Sequence, residues 1–150
     1  PFHAQFDVVF NFFTSFGYFL DEEDNRLAAR EMARVLKPWG RLFMDYMNAE
    51  HDVPRLVSDS ERTIGARRIV ERRWYDGALR RVNKTMEVFL DGQPEARLSE
   101  SVRAYSRNEL CALLEAAGFR GIRAFGDCEG RAYGPGAPRL ILLAMKRQDA

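Results

Sequence analysis

The sequence contains little cysteine and no long apolar segment. Its two cysteines, Cys111 and Cys128, lack the CxxC or Cys/His spacing of a zinc site and are too few for a disulfide framework. The longest unbroken apolar run, residues 140–145, is far shorter than the roughly 20 residues of a membrane-spanning helix. No basic-then-apolar leader opens the chain. We therefore expect no metal site, no membrane span and a cytoplasmic location.

A strong net charge is also missing. Lys and Arg number 23 against 22 Asp and Glu, which gives a formal net charge of +1. The overall positive field that drives non-specific nucleic-acid binding is therefore absent, and composition argues against a nucleic-acid partner. Hydrophobic residues make up 46% and charged residues 30%, which is typical of a folded globular domain of this length.

Residues 6–46 predict a strand, a helix and a second strand. The apolar run at residues 6–13 is typical of a strand buried on both faces in the centre of a parallel sheet. Four acids at residues 21–24 and apolar residues at helical spacing predict a helix that ends before Pro38. A second apolar strand follows at residues 40–46. Short connections make this a βαβ unit, whose two strands run parallel.

Residues 64–105 change to an alternation of polar and apolar side chains. Two Asp-Gly pairs, at residues 76–77 and 91–92, divide this region and are strong hairpin signals. We expect a half-buried, three-stranded antiparallel meander. Beyond it, a capping box from Ser106 to Glu109 predicts a helix that ends near Gly118. Strands at residues 121–125 and 140–146, separated by a glycine-rich loop, complete the α/β order.

This order of elements resembles the carboxyl-terminal part of class I S-adenosylmethionine-dependent methyltransferases, and three motifs carry the resemblance. They are Phe6-Asp7-Val8-Val9 in the first strand, Arg34-Val35-Leu36-Lys37-Pro38-Trp39-Gly40 after the first helix, and Ala116-Ala117-Gly118-Phe119 after the last helix. Trp39 stands where the family usually has a glycine. The resemblance implies an α/β fold in one domain spanning residues 1–150. It would be a partial Rossmann-like mixed sheet, the carboxyl-side half, with an antiparallel last strand and residues 64–105 inserted as a β-meander or lid.

The glycine-rich cofactor turn of that family, and the acidic residue that holds the ribose, would lie upstream of these residues. The first strand would then have an open, apolar edge, which is an aggregation hazard. We therefore expect the chain either to pair with a second copy along this edge, as a homo-oligomer, or to belong to a longer polypeptide that supplies the missing amino-terminal half.

The resemblance further implies S-adenosylmethionine as cofactor and a small molecule as methyl acceptor. The carboxyl ends of parallel strands form the ligand site in such sheets, and the residues expected beside the cofactor are Asn11, Phe12, Thr14 and Ser15. Backbone carbonyls and a small polar side chain suit the ammonium group of the cofactor. The alternative is that Phe12 belongs to the core and that Thr14 and Ser15 only open a loop.

The residues expected on the substrate side are Tyr18, Tyr46, Asn48, Arg73, Tyr75 and Tyr133. Each also has a structural alternative, as core, strand cap, turn or exposed sheet face. The identity of a catalytic base stays open, with His51 and Asp45 as candidates. Histidine is the side-chain type whose unperturbed charge change lies near neutral pH, which suits a base, although a solvated loop histidine would look the same.

Two rival functions remain. The arginine-rich meander, interleaved with Trp74 and Tyr75, would suit an RNA or tRNA methyltransferase that grips its substrate with cations and aromatic rings. A noncatalytic remnant that serves as a dimerisation or regulatory module is the other.

Overall fold

The computed structural model describes residues 2–148. They form two compact units. The first unit joins the residues up to Asp52 with those from Tyr105 onward, and the second is Val53–Ala104. The second unit therefore interrupts the first in the sequence, and it begins before the meander boundary at residue 64 that the sequence pattern suggested.

The first unit is built on a four-stranded mixed sheet. Its elements are β1 (Phe6–Asn11), α1 (Glu22–Val35), β2 (Leu36–Met47), α2 (Ala49–Asp52), α3 (Arg107–Ala116), β7 (Phe119–Phe125) and β8 (Arg139–Lys146). The strand order is β1-β2-β8-β7. β1 runs parallel to β2, as the βαβ pattern predicted, and β8 runs antiparallel to both of its neighbours.

Capping and burial explain the two longer helices. The Asp21 side chain accepts a hydrogen bond from the Glu23 N–H at 2.8 Å and begins α1. The predicted capping box at Ser106 and Glu109 is present at the start of α3, which satisfies N–H groups that the helix itself leaves unpaired. Side chains from β2, β8 and α3 form the centre of the core: Leu42, Met44, Tyr46, Leu110, Leu114, Leu140, Ile141 and Leu142 are each at most 2% exposed.

The open, apolar edge predicted for the first strand is present. The apolar run is typical of a central strand, but among the described residues β1 pairs with β2 alone and lies at the edge of the sheet. The side chains of Phe6, Val8 and Phe10 are 40–59% exposed. An apolar strand becomes buried only if other chain segments cover its edge and faces, and residues 2–148 supply a partner on one edge only.

Two other strands begin earlier than predicted. β2 starts at Leu36 rather than residue 40, and its pairing with β1 shifts register in this segment, which accommodates Pro38 without loss of a regular ladder bond. Gly40 is required there, because an added Cβ would lie 2.9 Å from both the Leu36 side chain and the Lys37 carbonyl oxygen. β7 likewise starts at Phe119 rather than at residue 121.

The second unit is a four-stranded antiparallel meander, not a three-stranded one. Its strands are β3 (Asp59–Ile64), β4 (Arg67–Asp76), β5 (Arg81–Leu90) and β6 (Gln93–Arg103), in that order. The sequence missed β3 because its side chains are polar and largely exposed, so no apolar alternation marks it. The predicted hairpin at Asp91 and Gly92 is present, and both residues have positive φ, 49° and 80°, as a type I′ turn requires.

Candidate functional site

A tight, strained turn follows β1 at the carboxyl end of the parallel strand pair. Phe13 and Thr14 both have left-handed φ angles, 58° and 57°, which cost on the order of 1 kcal/mol or more for each residue with a side chain. The Phe13 N–H donates to the Asp45 carboxylate at 3.0 Å, and the Thr14 N–H donates to the Asp45 backbone carbonyl at 2.9 Å. Asp45 therefore holds the turn in its strained conformation.

Arg139 completes this arrangement from the beginning of β8. Its Nε donates to Asp45 Oδ1 at 2.7 Å, and its Nη2 donates to Thr14 Oγ1 at 3.1 Å. Asp45 is 7% exposed, and both of its carboxylate oxygens accept hydrogen bonds. We name Thr14, Asp45 and Arg139 the clamp. This geometry makes Asp45 the residue that fixes the turn, and the expectation that Asp45 acts as a base stays a prediction.

Asn11 lies at the last position of β1 and carries an unsatisfied acceptor. Its Oδ1 is buried and has no hydrogen-bond partner among the described residues. Buried polar atoms without a partner are rare and call for an explanation. A ligand cation or donor placed at this end of the sheet would supply the missing bond, and an ammonium group has the right chemistry for an amide oxygen.

The other residues expected beside the cofactor take part in the same turn. Ser15 Oγ donates to the Phe12 carbonyl at 2.7 Å, so this hydroxyl closes the turn. The Phe12 ring is 44% exposed and lies 5.3 Å from the Phe10 ring and 5.4 Å from the Phe43 ring, measured between centroids. The structure thus brings the four predicted cofactor residues to one turn, with Thr14 and Ser15 engaged internally and Asn11 unsatisfied.

Asn48 and Tyr133 meet at the carboxyl end of β2. Asn48 is 1% exposed, and its Nδ2 donates to the carbonyls of Gly134 and Ala137 at 3.0 and 2.8 Å. The Tyr133 hydroxyl donates to Asn48 Oδ1 at 3.2 Å. Burial, with a further contribution from the negative charge of Glu50, raises the pKa of Tyr133. Asn48 therefore fixes the glycine-rich loop, and Tyr133 remains half-buried beside it.

The remaining substrate candidates of the first unit occupy different environments. Tyr46 is fully buried and packs 6.3 Å from the Tyr105 ring, so it supports the site from the core without a surface to offer a ligand. Tyr18 is 46% exposed. His51 lies in the short helix α2, where its Nδ1 is 2.8 Å from an Asp52 carboxylate oxygen, an arrangement that orients the ring.

Arg73 and Tyr75 belong to the second unit, on one face of β4. Arg73 contacts the carboxylate of Glu71 and donates to Ser60 Oγ at 3.1 Å, while the Tyr75 side chain is 37% exposed.

Sequence reasoning missed Arg139 altogether. The signal that could have found Arg139 is its position as a cation at the start of an otherwise apolar strand. In the sheet, that strand pairs with β2, the strand that carries Asp45.

Within residues 2–148, no cluster of three or more His, Cys, Asp or Glu side chains is placed to hold a metal ion. The same part of the chain contains no helix with the length and apolarity needed to cross a membrane.

Comparison with solved structures defines the fold. An S-adenosylmethionine-dependent methyltransferase from Clostridium acetobutylicum matches 98% of this chain with a TM-score of 0.78 at 16% identity. The CcbJ methyltransferase from Streptomyces caelestis matches 93% with a TM-score of 0.75 at 17% identity. The sugar N-methyltransferase KedS8 from Streptoalloteichus matches 95% with a TM-score of 0.64 at 19% identity. The chain therefore has a methyltransferase fold.

The matches cover only part of those proteins: the chain spans 61%, 60% and 56% of their respective lengths. No family model matches the sequence, and no curated protein does.

Proposed function

We propose that this chain forms the carboxyl-side part of an S-adenosylmethionine-dependent methyltransferase that acts on a small molecule. One observation carries the proposal. In this chain, which has a methyltransferase fold, a strained turn follows β1 at the carboxyl end of the parallel pair β1 and β2, and the clamp fixes it. The buried, unpartnered oxygen of Asn11 lies next to this turn. Strain of this kind concentrates at ligand sites, where the surrounding structure maintains it.

The residues present fit the methionine portion of the cofactor. Asn11 Oδ1 would accept a hydrogen bond from its ammonium group, and the turn from Phe12 to Ser15 would contact it along the backbone. When bound, S-adenosylmethionine supplies a methyl group on a positively charged sulfur. Exposed aromatic rings at this end of the sheet, such as Phe12 and Tyr18, suit such a cation. The clamp would keep the turn in the conformation that binds.

On the substrate side we propose Tyr18 and Tyr133, with the buried side chains of Tyr46 and Asn48 supporting them from the core. Methyl transfer depends mainly on alignment of donor and acceptor. Where the acceptor must lose a proton, His51 is the proposed base, oriented by its contact with Asp52. A small-molecule acceptor agrees with the sugar N-methyltransferase among the similar structures. We further propose that the second unit acts as a lid that carries Arg73 and Tyr75.

Charge pairing in the second unit favours a small molecule over RNA. Arg67 is paired with Glu95, and Arg68, Arg72 and Arg97 lie within ion-pair distance of acids on neighbouring strands. A nucleic-acid backbone is bound by cations that neutralise its phosphates and displace the counterions condensed on it, and the carboxylate within 4 Å of each of these four cations opposes such binding.

The open edge of β1 requires a partner in the active protein. Phe6, Val8 and Phe10 are exposed along an unpaired strand, and such edges attract further strands. We propose that additional polypeptide, or a second copy of the chain, covers this edge. If a second copy does so without cofactor binding, the chain would be the noncatalytic dimerisation module that the sequence left open.

Calorimetric titration with S-adenosylhomocysteine tests the proposal. It is to be carried out on the 150-residue chain and on the polypeptide encoded by the whole reading frame that contains it. We expect saturable one-to-one binding to at least the longer polypeptide. Absence of binding to both would refute the proposed function.

A further inference from the structure

An open pocket lies at the amino end of the parallel strand pair, the end opposite Asn11 and the clamp. Its volume is about 350 Å³, and it is lined by Asp7 and Val8 of β1 and by residues 37–41 of β2. The pairing of the two strands shifts register at this point, which opens a space between them. Pockets that bind small molecules begin at about 300 Å³, so this one has room for a single-ring compound.

Trp39 supplies an aromatic wall to the pocket. Its φ is 67°, in the left-handed region that is rare for a residue with a bulky side chain and unstrained only for glycine. The Arg120 guanidinium carbon lies 4.0 Å from the centroid of the Trp39 ring, a cation–π contact that holds the ring in place. Trp39 is still 46% exposed, so its ring has surface left for a further contact.

Two arginines next to this wall have no acidic partner. Within residues 2–148, neither Arg41 nor Arg120 forms an ion pair, and Nε of Arg120 is buried without a hydrogen-bond partner. Asp7 is the acid among the lining residues, and Lys37 Nζ already donates to both of its carboxylate oxygens, at 2.9 and 3.0 Å. The pocket therefore has an excess of positive charge that no carboxylate of the described residues offsets.

The pairing of the strands places both arginines on one face of the sheet. Arg41 in β2 and Arg120 in β7 are each opposite Met145 of β8, the strand between them, and side chains directly opposite one another in a ladder share a face. Val8 is opposite Arg41 in β1 and adds an apolar side chain to the same face. Cationic and apolar groups thus line the pocket together.

We propose that this pocket binds an aromatic oxyanion, a compact ring that carries a carboxylate or phosphate group. Arg41 binds the anionic group, because a guanidinium offers the paired donors that match such groups. The ring packs on Trp39, and Arg120 adds positive charge from the other side of Met145. Trp39, Arg41 and Arg120 belong to β2 and β7, not to the strand with the open edge. The site does not depend on methyl transfer.

Titration with benzoate and with phenyl phosphate at constant ionic strength tests the site, on the polypeptide encoded by the whole reading frame. The readout is the ¹⁵N-resolved resonances of the Trp39 indole N–H and of the backbone amides at residues 37–41. We expect saturable shifts centred on these groups, and none with benzyl alcohol, which has the ring without the charge. Tighter binding of phenyl phosphate would assign a phosphorylated ligand, and tighter binding of benzoate a carboxylate.

Two variants separate the contributions of charge and ring. Arg41→Gln should weaken binding about tenfold or more, the effect of one lost charge-assisted hydrogen bond. Trp39→Gly should also weaken binding but leave the thermal midpoint nearly unchanged, because glycine adopts this φ without strain and the relief offsets the lost contact with Arg120. Loss of affinity in Trp39→Gly therefore cannot be attributed to unfolding.

The matched control is Arg123→Gln. Arg123 is on the same face, opposite Leu143, and its guanidinium carbon lies 5.0 Å from the centroid of the Phe125 ring, but it does not line the pocket. We expect this variant to change affinity less than twofold. Equal affinities of Arg41→Gln and Arg123→Gln would show that binding depends on diffuse surface charge or not on Arg41, and would overturn the proposal. The lack of saturable shifts, or equally tight binding of benzyl alcohol, would overturn it as well.

Discussion

Replacement of Asp45 by asparagine tests whether this residue clamps the turn. In the wild type its two carboxylate oxygens accept from the Phe13 N–H at 3.0 Å and from Arg139 Nε at 2.7 Å. An asparagine keeps one acceptor, and its NH₂ group must face one of these two donors. A hydrogen bond to a charged group contributes about 1.5–3 kcal/mol. The Arg139 side chain is 32% exposed, so water replaces part of the loss and we expect about 2 kcal/mol.

For a chain of this length, a loss of about 2 kcal/mol lowers the thermal midpoint by roughly 4–8 °C. Denaturant unfolding gives the free energy, and calorimetry with S-adenosylhomocysteine gives the affinity. Because the turn would relax from its left-handed conformation, we expect Asp45→Asn to weaken cofactor binding as well as stability.

The control is Asp7→Asn, since Asp7 also forms an ion pair, with Lys37, but its side chain is 79% exposed; exposed pairs contribute little, and we expect no measurable change. An Asp45→Asn variant with wild-type stability and wild-type cofactor affinity, but without turnover, would refute the clamp and make Asp45 the base.

Three further variants extend the account. Asn48→Asp should destabilise the protein and speed amide exchange in the loop at residues 126–138, because two backbone carbonyls would face a carboxylate instead of an amide donor. Glu71→Gln should make the free energy of unfolding depend less on pH in acid. The pKa of Glu71 is lowered in the folded protein, so its stabilisation is complete above pH 4.5 and is lost as pH falls through the folded pKa. Unfolding midpoints measured across pH 2–6 test this prediction. Val8→Lys should reduce concentration-dependent association in light scattering by blocking the open edge, whereas the exposed turn variant Leu20→Lys should not.

Local patterns predicted much of the first unit. Four elements were predicted from signals that lie within a few residues of each other, and all four are present. The signals are the acidic start of α1, the capping box of α3 and the apolar runs of β2 and β8. The apolar run of β1 correctly predicted a strand parallel to β2. Its burial depends on chain segments on both sides, and that information is not contained in the run itself.

Sequence patterns could not have predicted the clamp. Asp45 and Arg139 are 94 positions apart, and they meet only because β8 pairs with β2 in one particular register. The left-handed conformation of Phe13 and Thr14 is equally hidden, since neither residue type favours it. β3 was not predicted because its sequence is mostly polar. Its pairing with β4, and not the burial of apolar side chains, defines this strand.

The most direct test of the account compares two ligands in two proteins. The ligands are S-adenosylhomocysteine and its analogue without the amino group; the proteins are the wild type and Asn11→Ala, in the polypeptide that binds cofactor. If the buried oxygen of Asn11 receives the ammonium group, removal of the amine should cost the wild type about tenfold or more in affinity, and should cost Asn11→Ala almost nothing. An equal loss in both proteins would contradict placement of the cofactor at the carboxyl end of β1.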